Sequence, residues 1–270
     1  MEHAPATKCR RATWADLDAV SALISLEFTR PEDGEPLCRA LQLDGSRPET
    51  LAYFRDYAKY FLEAPESQAH SFVAEEESRA IVGAYLAKAV TAMDFLSFLL
   101  GSGGASSPTP SSDYAALDLY ALASAQCDLL ARPLCVRLLD QNRVERVLHS
   151  GPSVVAASRQ HGSLFTEELF TTQVETALSS GCDITIGNAT RPHSIKVARR
   201  FGGIPFCSVD YASLKDLDGG PLRVRPVTGG TYKTYLYRLF KDKADRSRRS
   251  SDIELDPSDP SGLTQRPSHC

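Results

Sequence analysis

The stretch Val154-Val155-Ala156-Ala157-Ser158-Arg159-Gln160-His161-Gly162-Ser163-Leu164, with the helix-shaped run behind it to Ser180, decides the fold. It reads as strand, tight turn, helix. An apolar strand ends near Ala157. A basic residue and a glycine bracket the turn, and a helix follows with Leu164, Phe165, Leu169, Val174, Ala177 and Leu178 at its apolar positions. Gly181 stops that helix. Such a turn aims unpaired backbone N–H groups and the positive end of the helix dipole at one spot, which favours an anion. Arg159 and Gly162 fit Arg-x-x-Gly-x-Gly/Ala except at the last position, where Leu164 stands.

The chain continues with a short strand, Cys182 to Asn188, and a short helix, Ser194 to Arg200, closed by Phe201-Gly202-Gly203. Upstream, Thr13 opens a first helix, since the carboxylate of Asp16 can reach back to it, and Leu17, Val20, Ile24 and Phe28 recur at helical spacing. That helix ends before Pro31. A turn-rich piece leads to a second helix around Cys38 to Leu43, with Pro36 suited to its first turn and Glu35 at its entrance. Bottom-up, Glu35 has two readings, a carboxylate favoured by the helix dipole and a chemical group. A third helix runs from Arg47-Pro48 to about Leu62. Residues 70–75 and 80–86 then pair as a hairpin. Residues 101–113 are a low-complexity loop, and a helix from Asp113 to about Leu130 precedes the central strand, placed within Arg146 to Ala157. Residues 204–211 and 231–240 read as two further strands. The order is that of an α/β protein with a central mixed sheet flanked by helices. It forms one domain over residues 1–243 with a disordered polar tail over 244–270.

Composition narrows the function. Of 270 residues, 42% are hydrophobic and 24% charged, as in soluble globular proteins, and the net charge of −4 offers no broad basic surface for nucleic acid. The basic cluster from Lys241 to Arg249 lies in the tail and reads as a solvated linker. Seven cysteines without Cys-x-x-Cys point to reduced thiols in the cytoplasm, with neither a disulfide frame nor a metal. Met1 to Lys8 is too polar for a signal peptide, and the most apolar run, Phe95 to Leu100, is too short to span a bilayer, so no membrane is expected.

Strand, Arg-x-x-Gly turn, long helix, strand and short helix ending in Phe-Gly resemble the acetyl-coenzyme A core of the GNAT acyltransferases, over roughly residues 9–240. Glu35-Pro36-Leu37 and the hydroxyl pair Thr190 and Ser194, four apart, resemble the arylalkylamine N-acetyltransferase-like branch, which includes the insect dopamine N-acetyltransferases. There the first hydroxyl residue is a serine; here it is threonine. Many GNAT enzymes place a proton-donating tyrosine where Ala198 stands, so this chain lacks that acid at that site.

The resemblance implies direct acetyl transfer from acetyl-coenzyme A to a small primary amine such as an arylalkylamine. Glu35 is the implied general base, acting through water, and Ser194 and Thr190 orient that water or protonate the leaving sulfur. Backbone N–H groups of Gln160, Gly162, Ser163 and Leu164, beside His161 and with the charge of Arg159, hold the pyrophosphate, and Asn188 either contacts the same ligand or shapes its turn. Without the resemblance, Ser194 reads equally as the cap of the last helix and Thr190 as a loop residue. His193 and His149 are further candidate bases. Gly203 stands where the branch has an aromatic. Alternatives of the same fold are a polyamine or protein N-acetyltransferase and a catalytically silent acyl-coenzyme A binder. A monomer or weak dimer is expected.

Overall fold

The computed structural model describes residues 7–100, 114–157, 171–173, 175–223 and 232–239. The turn from Arg159 to Leu164, the 101–113 loop and the tail beyond residue 243 lie outside these residues.

A seven-stranded mixed sheet forms the centre, in the order β1-β2-β3-β4-β5-β7-β6. Its strands are β1 (Thr7–Arg11), β2 (Phe72–Glu76), β3 (Ile81–Thr91), β4 (Arg146–Val155), β5 (Ile184–Ala189), β6 (Ile204–Asp210) and β7 (Tyr232–Leu239). Only β4 and β5 run parallel; every other neighbouring pair is antiparallel. Strand β3 runs past Leu86, where the hairpin was expected to end, because its far half pairs with β4 from Ala87↔Ser150 to Thr91↔Arg146.

Alternation along the strands sends two residue sets to opposite faces. Val82, Ala84, Leu86, Val147, Ile184 and Ile186 face α1 (Leu17–Thr29), α2 (Pro36–Leu41), α3 (Pro48–Leu62), a short α4 (Pro65–Gln68), α5 (Ala92–Phe98) and α6 (Ala115–Gln141), and most of the core lies between. Tyr85, Ala87 and Leu148 face the other way, onto Ala177 of the helical residues 171–173 and 175–179. Gly181, at φ +73°, ends that helix as its sequence position requires.

Two helices differ from the sequence reading. Helix α6, expected to stop near Leu130, continues to Gln141 through Pro133. An interior proline costs about 3 kcal/mol, yet Ala131, Cys135, Leu138 and Leu139 beyond Leu130 are all buried in the main core. Their packing outweighs the interruption. The last helix, α7 (Pro192–Arg200), begins two residues before Ser194. Its N-cap is Arg191 in extended conformation, and Pro192 takes the first helical position, where the missing N–H is harmless. Ser194 therefore stands inside the first turn and does not cap the helix.

Strand β4 carries the feature on which the site depends. Opposite Tyr85 and Ala87 of β3 stand Ser153 and Ser150, so β4 holds one extra residue at Gly151–Pro152, a bulge. The Phe61 ring fills the space of the missing side chain, since a Cβ on Gly151 would come within 2.3 Å of its Cζ. Pairing between β4 and β5 ends at Ser150↔Gly187. Beyond it, β4 stays with β3 to Val155 and β5 goes with β7 to Ala189, so the two central strands part.

Candidate active site

The chain reverses between α1 and α2, and the reversal is sterically exact enough to require glycine. Arg30 precedes proline and is extended, at φ −60° and ψ 129°. Gly34 N–H donates to the Arg30 carbonyl at 2.9 Å and Glu35 N–H to the Phe28 carbonyl at 2.7 Å. A Cβ on Gly34 would lie 2.4 Å from the Phe28 oxygen. The turn delivers Glu35 to the N-cap of α2, where its Oε2 accepts from Cys38 N–H at 2.8 Å.

Glu35 is 5% exposed. Its other oxygen, Oε1, accepts from the hydroxyl of Tyr211 at 3.2 Å. Tyr211 opens a short 3-10 turn (Tyr211–Ser213) directly after β6 and is buried. Burial and the nearby Glu35 push its phenol far above the ordinary tyrosine range, so it stays protonated and donates. Burial, then Glu35, pushes the Cys38 thiol well up, and burial with Cys38 and Glu35 does the same to Tyr120 on α6. The groups packed on this carboxylate are thus neutral. Among the described residues no Lys, Arg or His nitrogen comes within 4.0 Å of it.

Three more contacts close the site. Arg191, the α7 cap, donates from Nη1 to the Asp33 carbonyl at 3.2 Å. Burial lowers its pKa, while Asp33 and Glu35 oppose that loss of charge. Arg30 pairs with Glu27 at 3.2 Å and with Asp33. Glu27 Oε1 in turn accepts from Ala157 N–H at 2.9 Å. The end of α1, the Glu35 turn, the start of α7 and the end of β4 are linked through these contacts.

Thr190 and Ser194, both partly buried, flank Arg191, so the α7 entrance that carries them is fastened to the Glu35 turn. Asn188 is exposed near the end of β5, opposite Tyr235 of β7. Arg159, Gln160, His161, Gly162, Ser163 and Leu164 lie outside the described residues. His149 is elsewhere: its ring is enclosed by Tyr60, Phe61, Phe95 and Phe98, with centroids 4.4–5.7 Å away. It is a packing residue of the core. Residues that could gather round a metal are absent among those described. The six described cysteines form no disulfide with one another, and no described helix is long and apolar enough to cross a membrane.

Sequence reasoning missed two participants. Arg191 had a local signal, since the residue before a proline at a helix start is extended and sits at the cap. Tyr211 had none, because its partner lies 176 residues away in the chain.

No family model matches the sequence, and no curated protein does. Solved structures do match. A mosquito arylalkylamine N-acetyltransferase-like 5b superposes with a TM-score of 0.63 at 16% identity, over 87% of this chain and 100% of that one. This chain has the GNAT fold. A polyamine N-acetyltransferase of Drosophila melanogaster gives 0.63 at 14% identity, over 87% and 100% of the two chains. Arylalkylamine N-acetyltransferase 2 of Aedes aegypti gives 0.61 at 17%, over 86% and 98%.

Proposed function

We propose that the chain is an acetyl-coenzyme A dependent N-acetyltransferase acting on a small primary amine. The observation that carries this reading is the Glu35 carboxylate: 5% exposed, held by uncharged donors, and without a cation in ion-pair range among the described residues. Arg191 acts on it electrostatically but gives its Nη1 to the Asp33 carbonyl, so a buried carboxylate in this state still gains from a cation that reaches it. A protonated amine supplies one, and must then lose a proton before it can attack. Glu35 accepts that proton, directly or through a water. The nitrogen bonds to the thioester carbonyl carbon, the carbon–sulfur bond breaks, and the Ser194 or Thr190 hydroxyl passes its proton to the departing sulfur as it takes the second proton that the nitrogen loses.

The acyl donor fits the parted strands. Its linear arm can enter where β4 leaves β5 after Ser150↔Gly187. Its pyrophosphate is assigned to the turn Arg159 to Leu164, which follows Ala157, and Asn188 to the neighbouring rim. This holds both reactants at one end of the sheet, an arrangement worth roughly 7–11 kcal/mol when geometry is good. The acetyltransferase domain is taken as residues 1–243.

Arylalkylamines and polyamines are the acceptor classes to try first, since proteins of this fold named for both match the chain. The test is steady-state release of coenzyme A thiol from acetyl-coenzyme A with panels of both. Turnover should appear with at least one amine, and Glu35→Gln should lower kcat by about 10²–10⁴-fold. Calorimetric binding of acetyl-coenzyme A that Gly162→Asp abolishes would support the turn as its site. Binding without turnover on any amine would leave a silent acyl-coenzyme A binder instead.

A further inference from the structure

We propose that Tyr211 is a positioning residue for Glu35, its hydroxyl fixing one carboxylate oxygen while Cys38 N–H fixes the other, so that the base is held in one orientation. The inference rests on the reading of Glu35 as the general base.

Glu35 alone could swing about its side-chain torsions. The Cys38 N–H bond, at 2.8 Å, is the ordinary bond of a helix cap and holds only Oε2. The Tyr211 bond to Oε1 comes from an unrelated element, the turn after the edge strand β6. Two donors from two elements define the plane of the carboxylate. The ring of Tyr211 is 2% exposed and belongs to the main core, so phenylalanine would satisfy its packing. The hydroxyl is what packing does not explain.

The groups that act electrostatically on Glu35 from each surrounding element are Cys38 of α2, Tyr53 of α3, Tyr120 of α6, Tyr211 and Arg191. The thiol and the three phenols are all pushed up by burial and remain neutral. Arg191 directs its Nη1 to the Asp33 carbonyl. Tyr211 is the side chain that reaches the carboxylate from outside the helix Glu35 caps, and losing its hydroxyl removes a donor that favours the charged form.

The experiment is the pH dependence of kcat and kcat/KM for Tyr211→Phe, with acetyl-coenzyme A and the best amine. The acidic limb of kcat/KM should move up by about one pH unit, the scale of one hydrogen bond to a charged group. At neutral pH kcat should fall about tenfold, while KM for acetyl-coenzyme A stays as in the parent. Replacing Tyr211 alone with 3-fluorotyrosine makes the hydroxyl a stronger donor and should move the limb down, and this variant keeps the ring if phenylalanine prevents folding. A limb that stays in place in either folded variant overturns the proposal. Glu35→Gln in the same assay separates the two ideas: an active Glu35→Gln enzyme removes the base itself, whereas an inactive one beside an unchanged Tyr211→Phe removes only the positioning role.

Discussion

Glu27 Oε1 accepts a hydrogen bond from Ala157 N–H at 2.9 Å, joining the last turn of α1 to the end of the central strand across 130 residues of sequence. The same carboxylate pairs with Arg30 at 3.2 Å, and Arg30 reaches Asp33 in the turn that presents Glu35. One buried side chain thus ties the turn that presents Glu35 to the end of the central strand.

Glu27→Ala should remove both contacts and leave the Ala157 N–H and one face of Arg30 without their acceptor. The expected loss is about 3 kcal/mol, read as a lower urea midpoint with unchanged slope. Glu27→Gln, which keeps an acceptor, should lose less. Equal stability of the parent and Glu27→Ala would show that the tie contributes nothing.

Gly151 has a steric reason to be glycine. A Cβ there would meet three ring carbons of Phe61 at 2.3–2.7 Å. Gly151→Ala should destabilise by about 1–3 kcal/mol through overpacking, and Phe61→Leu in the same chain should recover part of it. Thermal melting of the single and double variants measures the coupling.

His70 sets a pH dependence. It is buried, its Nδ1 has no hydrogen-bond partner among the described residues, and burial with the charges of Arg146 and Arg11 holds its pKa below the ordinary value. The unfolded chain then binds the proton more readily, so stability falls as pH drops from about 6.5 toward the lowered folded value. Urea unfolding at pH 7.5 and 5.5 should show a smaller loss in His70→Gln than in the parent. An identical loss in both would clear His70 of the effect.

Pro133 interrupts α6 on its exposed side, between the buried Ala131 and Cys135. Pro133→Ala should restore one backbone hydrogen bond and remove a steric conflict with the preceding turn, against a small gain in unfolded-state entropy. A net stabilisation of about 1–2 kcal/mol is expected. A drop in melting temperature would mean that the helix is shaped around the proline.

Most of the fold was legible because its signals are local. Thr13 and Asp16 announce a helix start, and in the structure the Asp16 carboxylate accepts from Thr13 N–H at 2.8 Å. Pro36 marks the first residue of α2, and Gly181 with positive φ closes the helix before β5. Tertiary packing overrode a local signal in α6, where buried Cys135, Leu138 and Leu139 carry the helix past Pro133. At α7 the local signal was there but outranked the expected cap: Arg191-Pro192 begins the helix before Ser194 can cap it.

The sequence by itself determined the order of strands and helices, the glycine-bounded turns, and the placement of Glu35 at a helix entrance, since periodicity, capping and proline geometry act over a few residues. Tertiary structure alone decided that β4 parts from β5 beyond Ser150↔Gly187, that His149 is walled in by aromatic rings, and that Tyr211 and Arg191 join the Glu35 turn. Those outcomes depend on contacts between segments far apart in the chain, and no local pattern encodes which buried donor will meet which buried carboxylate.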